Sequence, residues 1–358
     1  VRLGRPPAAW FEFGENCSQA EEDTKGIPVV NLHPAAAFKI QQFHDPMAFP
    51  SMQYLGLVSP FMRIPAGTRH RDAAQNFELP ETKMLWTIVR SVLSLHLNGD
   101  PAGVQTNQIN RYVEQRRKYL PHFACSTKFK CVASFFDDAL FPEIGKLRQP
   151  LRGQIGELRT TYAQEMSDFQ SFYRRELERD HINRYLHLFD DYFSNFDQFR
   201  QLLAYARIGR DDVDDLIVGA KHFNEIKLYY GQAYETLTSA YVTLACLNNV
   251  GAGRKYNAFA SMTLTKYMKD VEKAKKSVPF NGQPVLAAFT KWEDSALRNG
   301  SHHASIARDG ERVKYRSGGT GAERDIPYSR YIHLCNGITI ACAALMLVEC
   351  QEFSSLIT

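Results

Sequence analysis

No two cysteines in this chain are spaced Cys-x-x-Cys. Zinc-ribbon and thioredoxin-like readings, which need that spacing, are therefore excluded. Cys335 and Cys342 stand seven residues apart in an apolar helical run and read as buried free thiols, which suits a reducing cytoplasm. Long hydrophobic runs are also lacking. The most apolar stretch, 338–348, falls well short of the ~20 residues that span a bilayer, so no membrane crossing is expected. The first residues lack the basic-then-apolar pattern of a signal peptide, and none is expected. The glycine-rich stretch 317–321 is not followed by Gly-Lys-Ser/Thr, which removes a phosphate-cradling P-loop. No repeat of solenoid length is visible. Nor is there a large excess of one charge. The net charge of +4 neither demands nor excludes a nucleic-acid partner, because local clusters make phosphate contacts.

Aromatic residues at helical spacing are abundant. Leu151, Ile155, Leu158, Tyr162, Met166, Phe169 and Phe172 step by three or four, the mark of an amphipathic helix. A second stripe follows: Ile182, Tyr185, Leu186, Phe189, Tyr192, Phe193, Phe196, Phe199 and Leu203. Together they predict a long helical hairpin whose rings form core rather than a base-stacking surface. Upstream, Pro80-Glu81-Thr82 reads as a helix start, and a second helix is expected over 107–118. Before that, prolines at 6, 7, 28, 34, 46, 50, 60 and 65 break any long helix. Residues 1–78 read as an irregular arm that packs on something.

Gly209 and the acids after it mark a boundary. Four helices are expected beyond it, over 224–247, 261–276, 284–298 and 328–352. Between the last two, 306–315 reads as a β-hairpin turning at Asp309-Gly310 as a type I′ turn, with 317–321 as a flexible loop. The chain therefore divides into an arm (1–78), a helical region (79–208) and a C-terminal helical domain (209–358). The class is mostly α.

The string Leu297-Arg298-Asn299-Gly300-Ser301-His302-His303 carries candidate chemistry. It closes the third of those helices. A histidine titrates near neutrality and can take or give a proton. An arginine offers a fixed fork of donors to phosphoryl oxygens. The bland alternative is an Arg298–Asp294 surface pair one turn apart, with Asn299 and Gly300 ending the helix and the histidines solvated. Arg, a polar residue, three more and then His is the motif of HEPN domains. Residues 226–358 resemble that family in motif, element order and the strand insertion before the last helix. The first two hundred residues show no such likeness.

The resemblance implies a four-helix bundle and a metal-independent endoribonuclease of a toxin or antiviral-defence type, with no cofactor. Arg298, Asn299 and His303 would be catalytic. His302 would be a phosphate contact or a bystander, and Arg312, Lys314 and Arg316 on the hairpin would add phosphate contacts. Two protomers would line one cleft, and a regulatory or antitoxin partner would be possible. Ser305 stands where the branch silenced by nucleotidylation has a tyrosine, and Gly300 loosens a segment that relatives keep helical. Two further basic clusters, Arg111/Arg116/Arg117/Lys118 and Lys269/Lys273/Lys275/Lys276, could face RNA or solvent. The apolar residues Ile338, Ile340, Ala343, Leu345 and Leu347, spread around the last helix, point to a homodimer. Two alternatives stay open: a non-catalytic HEPN-like scaffold or nucleotide-binding module, and a helical structural partner protein.

Overall fold

The computed structural model describes residues 38–39, 79–99, 103–220, 222–302, 305–318 and 321–357. Most of the expected arm, 1–78, lies outside the described residues. Its described part, β1 (Phe38–Lys39), pairs antiparallel with β2 (Leu216–Ile217).

The architecture is mostly helical, with a small antiparallel sheet before the last helix. The first helices are α1 (Thr82–Asn98), α2 (Val104–Arg117), α3 (Lys128–Leu140) and α4 (Glu143–Thr161). Next come α5 (Ala163–Phe172), a π-helical turn (Tyr173–Leu177), α6 (Glu178–Ser194) and α7 (Phe196–Ile208). Every residue of the second aromatic stripe is buried, as core rather than as a surface. Trp86 joins it, with its ring 5.1 Å from that of Phe193, and Tyr192 stacks on Phe199 at 4.8 Å. The expected hairpin has a different corner. The helix does not stop between the stripes, because the π turn carries α5 into α6. It breaks instead at Tyr162, inside the first stripe (φ −129°, ψ 49°).

Beyond residue 208 lie α8 (Phe223–Ile226), α9 (Tyr229–Gly251), α10 (Leu264–Asp270), α11 (Pro284–Ala287), α12 (Ser295–His302) and α13 (Tyr328–Glu352). Of the four expected helices, the first and last are long. The second and third are broken into short helices and 3₁₀ turns. The second stops at Asp270, where Val271 is extended (φ −74°, ψ 123°), and the third passes after Ala287 into a 3₁₀ turn, Ala288–Thr290, before a helix restarts at Ser295. Asp294 starts a new helix, its Oδ1 accepting the Leu297 N–H at 2.9 Å. The motif therefore rides on an eight-residue helix of its own.

Helix α13 is the centre. It packs on α4, α6 and α7 from one side of residue 208 and on α9 from the other, and one hydrophobic core runs across that position. It is apolar all round because it is buried all round. Ile338, Ile340, Ala343, Leu345 and Leu347 are fully covered by this chain's own side chains, which accounts for them without a second copy. By length and composition α13 could cross a membrane, contrary to the expectation from 338–348; its neighbours bury 94% of its most apolar window. Gly337 is needed there, since a Cβ would strike the Trp292 ring. The described thiols other than Cys125 are buried, and burial pushes those of Cys335 and Cys342 up.

The polar groups of α13 find partners. Asn336 donates to the Phe199 carbonyl (2.9 Å) and accepts from Tyr192 (2.7 Å). Glu349, wholly buried, accepts from the Tyr185 hydroxyl at 3.0 Å and from the Thr243 hydroxyl, and lies 3.0 Å from His181 Nδ1. Past the end of α13, Glu178 meets His96 Nε2 (3.0 Å), the Ser355 N–H (3.0 Å) and the Ser354 hydroxyl. Burial alone would raise the pKa of Glu178. The hydrogen bonds from His96, Ser354 and Ser355 outweigh it and hold that pKa at about 2. Arg152 and Arg159 pair with Glu352, while Arg159, Gln170 and Arg174 donate to the helix's last carbonyls. Cations at a helix C-terminus suit its dipole.

The sheet has three strands in the order β3 (Ile306–Asp309), β4 (Arg312–Arg316), β5 (Glu323–Pro327). Asp309 pairs with Arg312, so the two-residue loop is Gly310-Glu311, one residue later than expected. Gly310 has φ 57° and Glu311 does not share the positive φ that a type I′ turn needs at both positions. The third strand carries Glu323, Arg324 and Asp325 without the apolar alternation that announces a strand.

Candidate functional site

Helix α12 is fixed at both ends against α9 and the residues just before it. At its start, the Tyr230 hydroxyl donates to the Trp292 carbonyl (2.7 Å) and accepts the Asp294 N–H (2.7 Å). At its end, Ser301 donates to the Lys227 carbonyl (2.7 Å) and accepts the Gly231 N–H (3.3 Å). Gly231 permits this crossing, because a Cβ there would sit 3.1 Å from Ser301 Oγ. Gly300 is the second close approach. A Cβ on it would lie 2.8 Å from Cβ of Tyr315 on β4. This glycine therefore seats α12 on the sheet rather than loosening the segment.

Arg298 points to α9. Its Nε donates to Glu235 Oε1 at 2.7 Å, one terminal nitrogen meets the same oxygen, and the other donates to Asn299 Oδ1 at 2.7 Å. Its ion-pair partner is thus Glu235, 63 residues away, and not Asp294, whose carboxylate caps α12. Lys273 approaches the same Glu235 at 3.7 Å and donates to Ser239 at 2.5 Å; burial lowers its pKa, partly offset by Glu235. Asn299 also reaches Ser317 Oγ (3.4 Å).

His302, exposed at the end of α12, lines an open cleft of about 450 Å³. Ser301 lines the cleft beside it. α9 contributes Gly231, Gln232, Glu235 and Thr236, and α6 contributes Arg184, His187, Leu188 and Asp191. Burial raises the pKa of Asp191, and the charge of Asp190 adds to it while His187 pulls the other way. Arg184 pairs with Asp180 (2.7 Å). His303 lies outside the described residues. Of the motif's described residues, His302 lines the cleft; Arg298 and Asn299 do not, and Arg298 connects to it through Glu235, with Asn299 hydrogen-bonded to Arg298.

The hairpin cations are placed differently. Arg312, Lys314 and Arg316 share the face of β4 opposite buried Val313 and Tyr315, and each has an acid. Arg312 pairs with Asp325, Lys314 with Asp309 (2.6 Å) and Arg316 with Glu323 (3.1 Å). The surface is a charge-matched ladder. The other basic clusters disperse as well. Arg116 is buried against Asp138, and Arg117 donates to the Phe123 carbonyl. Lys275 pairs with Glu272, and Lys276 is buried over the carbonyls of Tyr267 and Met268, where desolvation lowers its pKa to about 8.

His187, Asp191 and Glu235 were not singled out from sequence. A signal for two of them exists: Asp180, Arg184, His187 and Asp191 step by four, three and four, a polar stripe beside the aromatic one. Glu235 has no local signal, since its partner is non-local. Among the described residues no group of three His, Cys, Asp or Glu is placed to hold a metal ion. Comparison of the chain with protein-family models, with curated proteins and with solved structures finds no match.

Proposed function

We propose that this chain is a metal-independent endoribonuclease of the HEPN-like kind, acting as a toxin or defence effector, with the α6–α9–α12 cleft as its RNA site. The observation that carries the reading is that the motif's own helix lends Ser301 and His302 to one wall of the cleft, while Arg298 is bound to Glu235, a cleft residue of the facing helix. A guanidinium has five N–H donors. Glu235 and Asn299 engage three, and the other two can meet the equatorial oxygens of a phosphodiester. In this reaction the 2′-hydroxyl attacks phosphorus, the motif histidine His303 exchanges the protons, and Arg298 stabilises the developing charge. His302 stands at the cleft as a phosphate contact.

The test is cleavage of RNA in EDTA, with product ends identified. The expected ends are 2′,3′-cyclic phosphate and 5′-hydroxyl. His303→Ala should lower the rate on the order of 10²-fold or more, and Arg298→Ala by a similar factor. Products with 3′-hydroxyl ends, or strict dependence on Mg²⁺, would sink the mechanism. The reading includes a homodimer, which light scattering at micromolar concentration checks directly. A second reading, a non-catalytic HEPN-like scaffold, is favoured by one observation: Arg298, Arg312, Lys314 and Arg316 are all ion-paired, which leaves less charge for a polyanion. Intact RNA after prolonged incubation with folded protein selects it.

A further inference from the structure

We infer that Cys125 and Cys131 form a reversible redox modification site, a dithiol that a peroxide converts to an intramolecular disulfide. The inference does not rest on the ribonuclease reading. Both cysteines belong to the junction of α2 and α3. Thr127 caps α3 there, its hydroxyl accepting the Lys130 N–H at 3.2 Å. The Thr127 carbonyl oxygen serves both cysteines at once. It accepts the Cys131 N–H at 3.0 Å and the Cys125 thiol at 3.4 Å. One backbone oxygen therefore gathers the Cys125 sulfur and the Cys131 backbone. The two thiols are also hydrogen-bonded to each other. Because the Cys125 proton is spent on Thr127, the Cys131 thiol is the donor in that bond. Such an approach of the sulfurs is the geometric condition for a disulfide.

The two sulfurs differ in access. Cys125 is partly exposed, between exposed Ala124 and Ser126, so a small oxidant reaches it from solvent. Cys131 is fully buried. Its hydrogen bond to Cys125 raises its pKa, burial adds to the rise, and the charge of Arg116 opposes both. Arg116 is itself buried against Asp138, and its Nη1 has no acceptor among the described residues. A fixed cation beside a sulfur favours the thiolate, the form that reacts. Cys125 is thus the sulfur an oxidant meets, and Cys131 is the one that resolves it. Cys246, Cys335, Cys342 and Cys350 are wholly buried and offer no comparable entry.

The oxidant is hydrogen peroxide or an organic hydroperoxide. With hydrogen peroxide, the Cys125 thiolate attacks one oxygen. The S–O bond forms and the O–O bond breaks. The hydroxide released takes up the proton that Cys125 gave up and leaves as water. The sulfur is oxidised to a sulfenic acid and the peroxide is reduced. The Cys131 sulfur then attacks the Cys125 sulfur. The S–S bond forms, the S–O bond breaks, and the hydroxyl leaves as water with the Cys131 proton. Two thiols and one peroxide become one disulfide and two waters. Two external thiols reverse the bond by exchange, starting at the exposed Cys125 sulfur, and are themselves oxidised to a disulfide. In a reducing compartment such a bond is transient and redox-sensing rather than structural.

In the experiment the folded, reduced chain is treated with hydrogen peroxide. Its remaining thiols are alkylated, and it is digested with trypsin without reductant. Cleavage after Lys118, Lys128, Lys130 and Lys146 puts the cysteines in separate peptides, 119–128 and 131–146. The expected product is these two peptides joined, lighter by two hydrogens than their sum and separated by dithiothreitol. Cys131→Ser should stop at a sulfenic acid on Cys125, which dimedone traps. Cys125→Ser should leave Cys131 to be recovered as an alkylated thiol. Circular dichroism checks both variants, and Cys131→Ala replaces Cys131→Ser if serine does not fold in the core. The linkage assay on the unaltered chain needs neither variant. Both cysteines recovered alkylated after a peroxide exposure that fully oxidises glutathione overturns the site. So does Cys125 joined to another cysteine as readily as to Cys131. Loss of the Cys131 thiol in Cys125→Ser as fast as in the unaltered chain overturns Cys125 as the point of entry.

Discussion

Of the places where this molecule brings histidine and carboxylate together, two are built in opposite ways. Around the carboxyl end of α13, His181 and Glu349 are buried with Tyr185 and Thr243 closing the hydrogen bonds. In the α6–α9–α12 cleft, His187 and His302 stand exposed near Asp191 and Glu235. In the first arrangement both oxygens of Glu349 are engaged by other parts of the chain. In the second, Glu235 binds Arg298 and Lys273 while His187, Asp191 and His302 stand at the surface. The same residue types are thus enclosed in the core in one place and solvent-facing in the other, and the difference lies in burial.

The largest effect should come from Glu349→Ala. It strands His181, Tyr185 and Thr243 in the core and should cost about 3–5 kcal/mol in denaturant unfolding. His187→Ala should change stability by under about 0.5 kcal/mol. Equal losses at the two sites would break the contrast.

Next is pH. The folded pKa of Glu178 lies near 2, below its ordinary 4.5, so its contribution is complete above about pH 4.5 and disappears as pH falls towards 2. The contribution is on the order of 2 kcal/mol after allowance for solvent screening. Glu178→Gln cannot take up that proton, so its unfolding free energy should be flatter across this window. An acid limb as steep as that of the unaltered chain would show that other carboxylates dominate.

Gly300→Ala should cost roughly 1–3 kcal/mol by overpacking against Tyr315. In a Tyr315→Gly background, which removes the contacted Cβ, the cost should shrink, and a double-mutant cycle measures that coupling. Additive losses would mean that α12 is not seated on β4 through this pair. The smallest effect belongs to the exposed ladder. Arg316→Ala should move stability by no more than about 0.5 kcal/mol, as is usual for surface ion pairs. A loss several times larger in thermal melts would place the hairpin with the buried network instead.

Much of the helical frame was legible because burial imposes a period. The stripe from Ile182 to Leu203 could only be one face of a helix with its rings inside, and every member is buried. What stayed hidden was set by distant partners. Nothing near Arg298 in sequence announces Glu235, and nothing near Gly300 announces Tyr315. The all-round apolar pattern of α13 says that the helix is covered, but not whether this chain or a second one covers it. The turn at Gly310-Glu311 and strand β5 were missed because a one-residue shift of register and a charged strand leave the local composition nearly unchanged.

The central place of α13 also has a consequence in time. Helices α4 and α7 are made well before the segment they both pack on. Between residues 161 and 328 the ribosome adds residues at roughly 5–20 per second, a delay on the order of 10–30 s. Until it ends, the faces of α4 and α7 that pack on α13 lack their final neighbour. The nascent chain is then an open shell of helices with apolar inner faces, a state that invites chaperones and aggregation alike. Motif helix α12 is also complete before α13 exists, so any activity that depends on the closed core is withheld until the ribosome has passed residue 352.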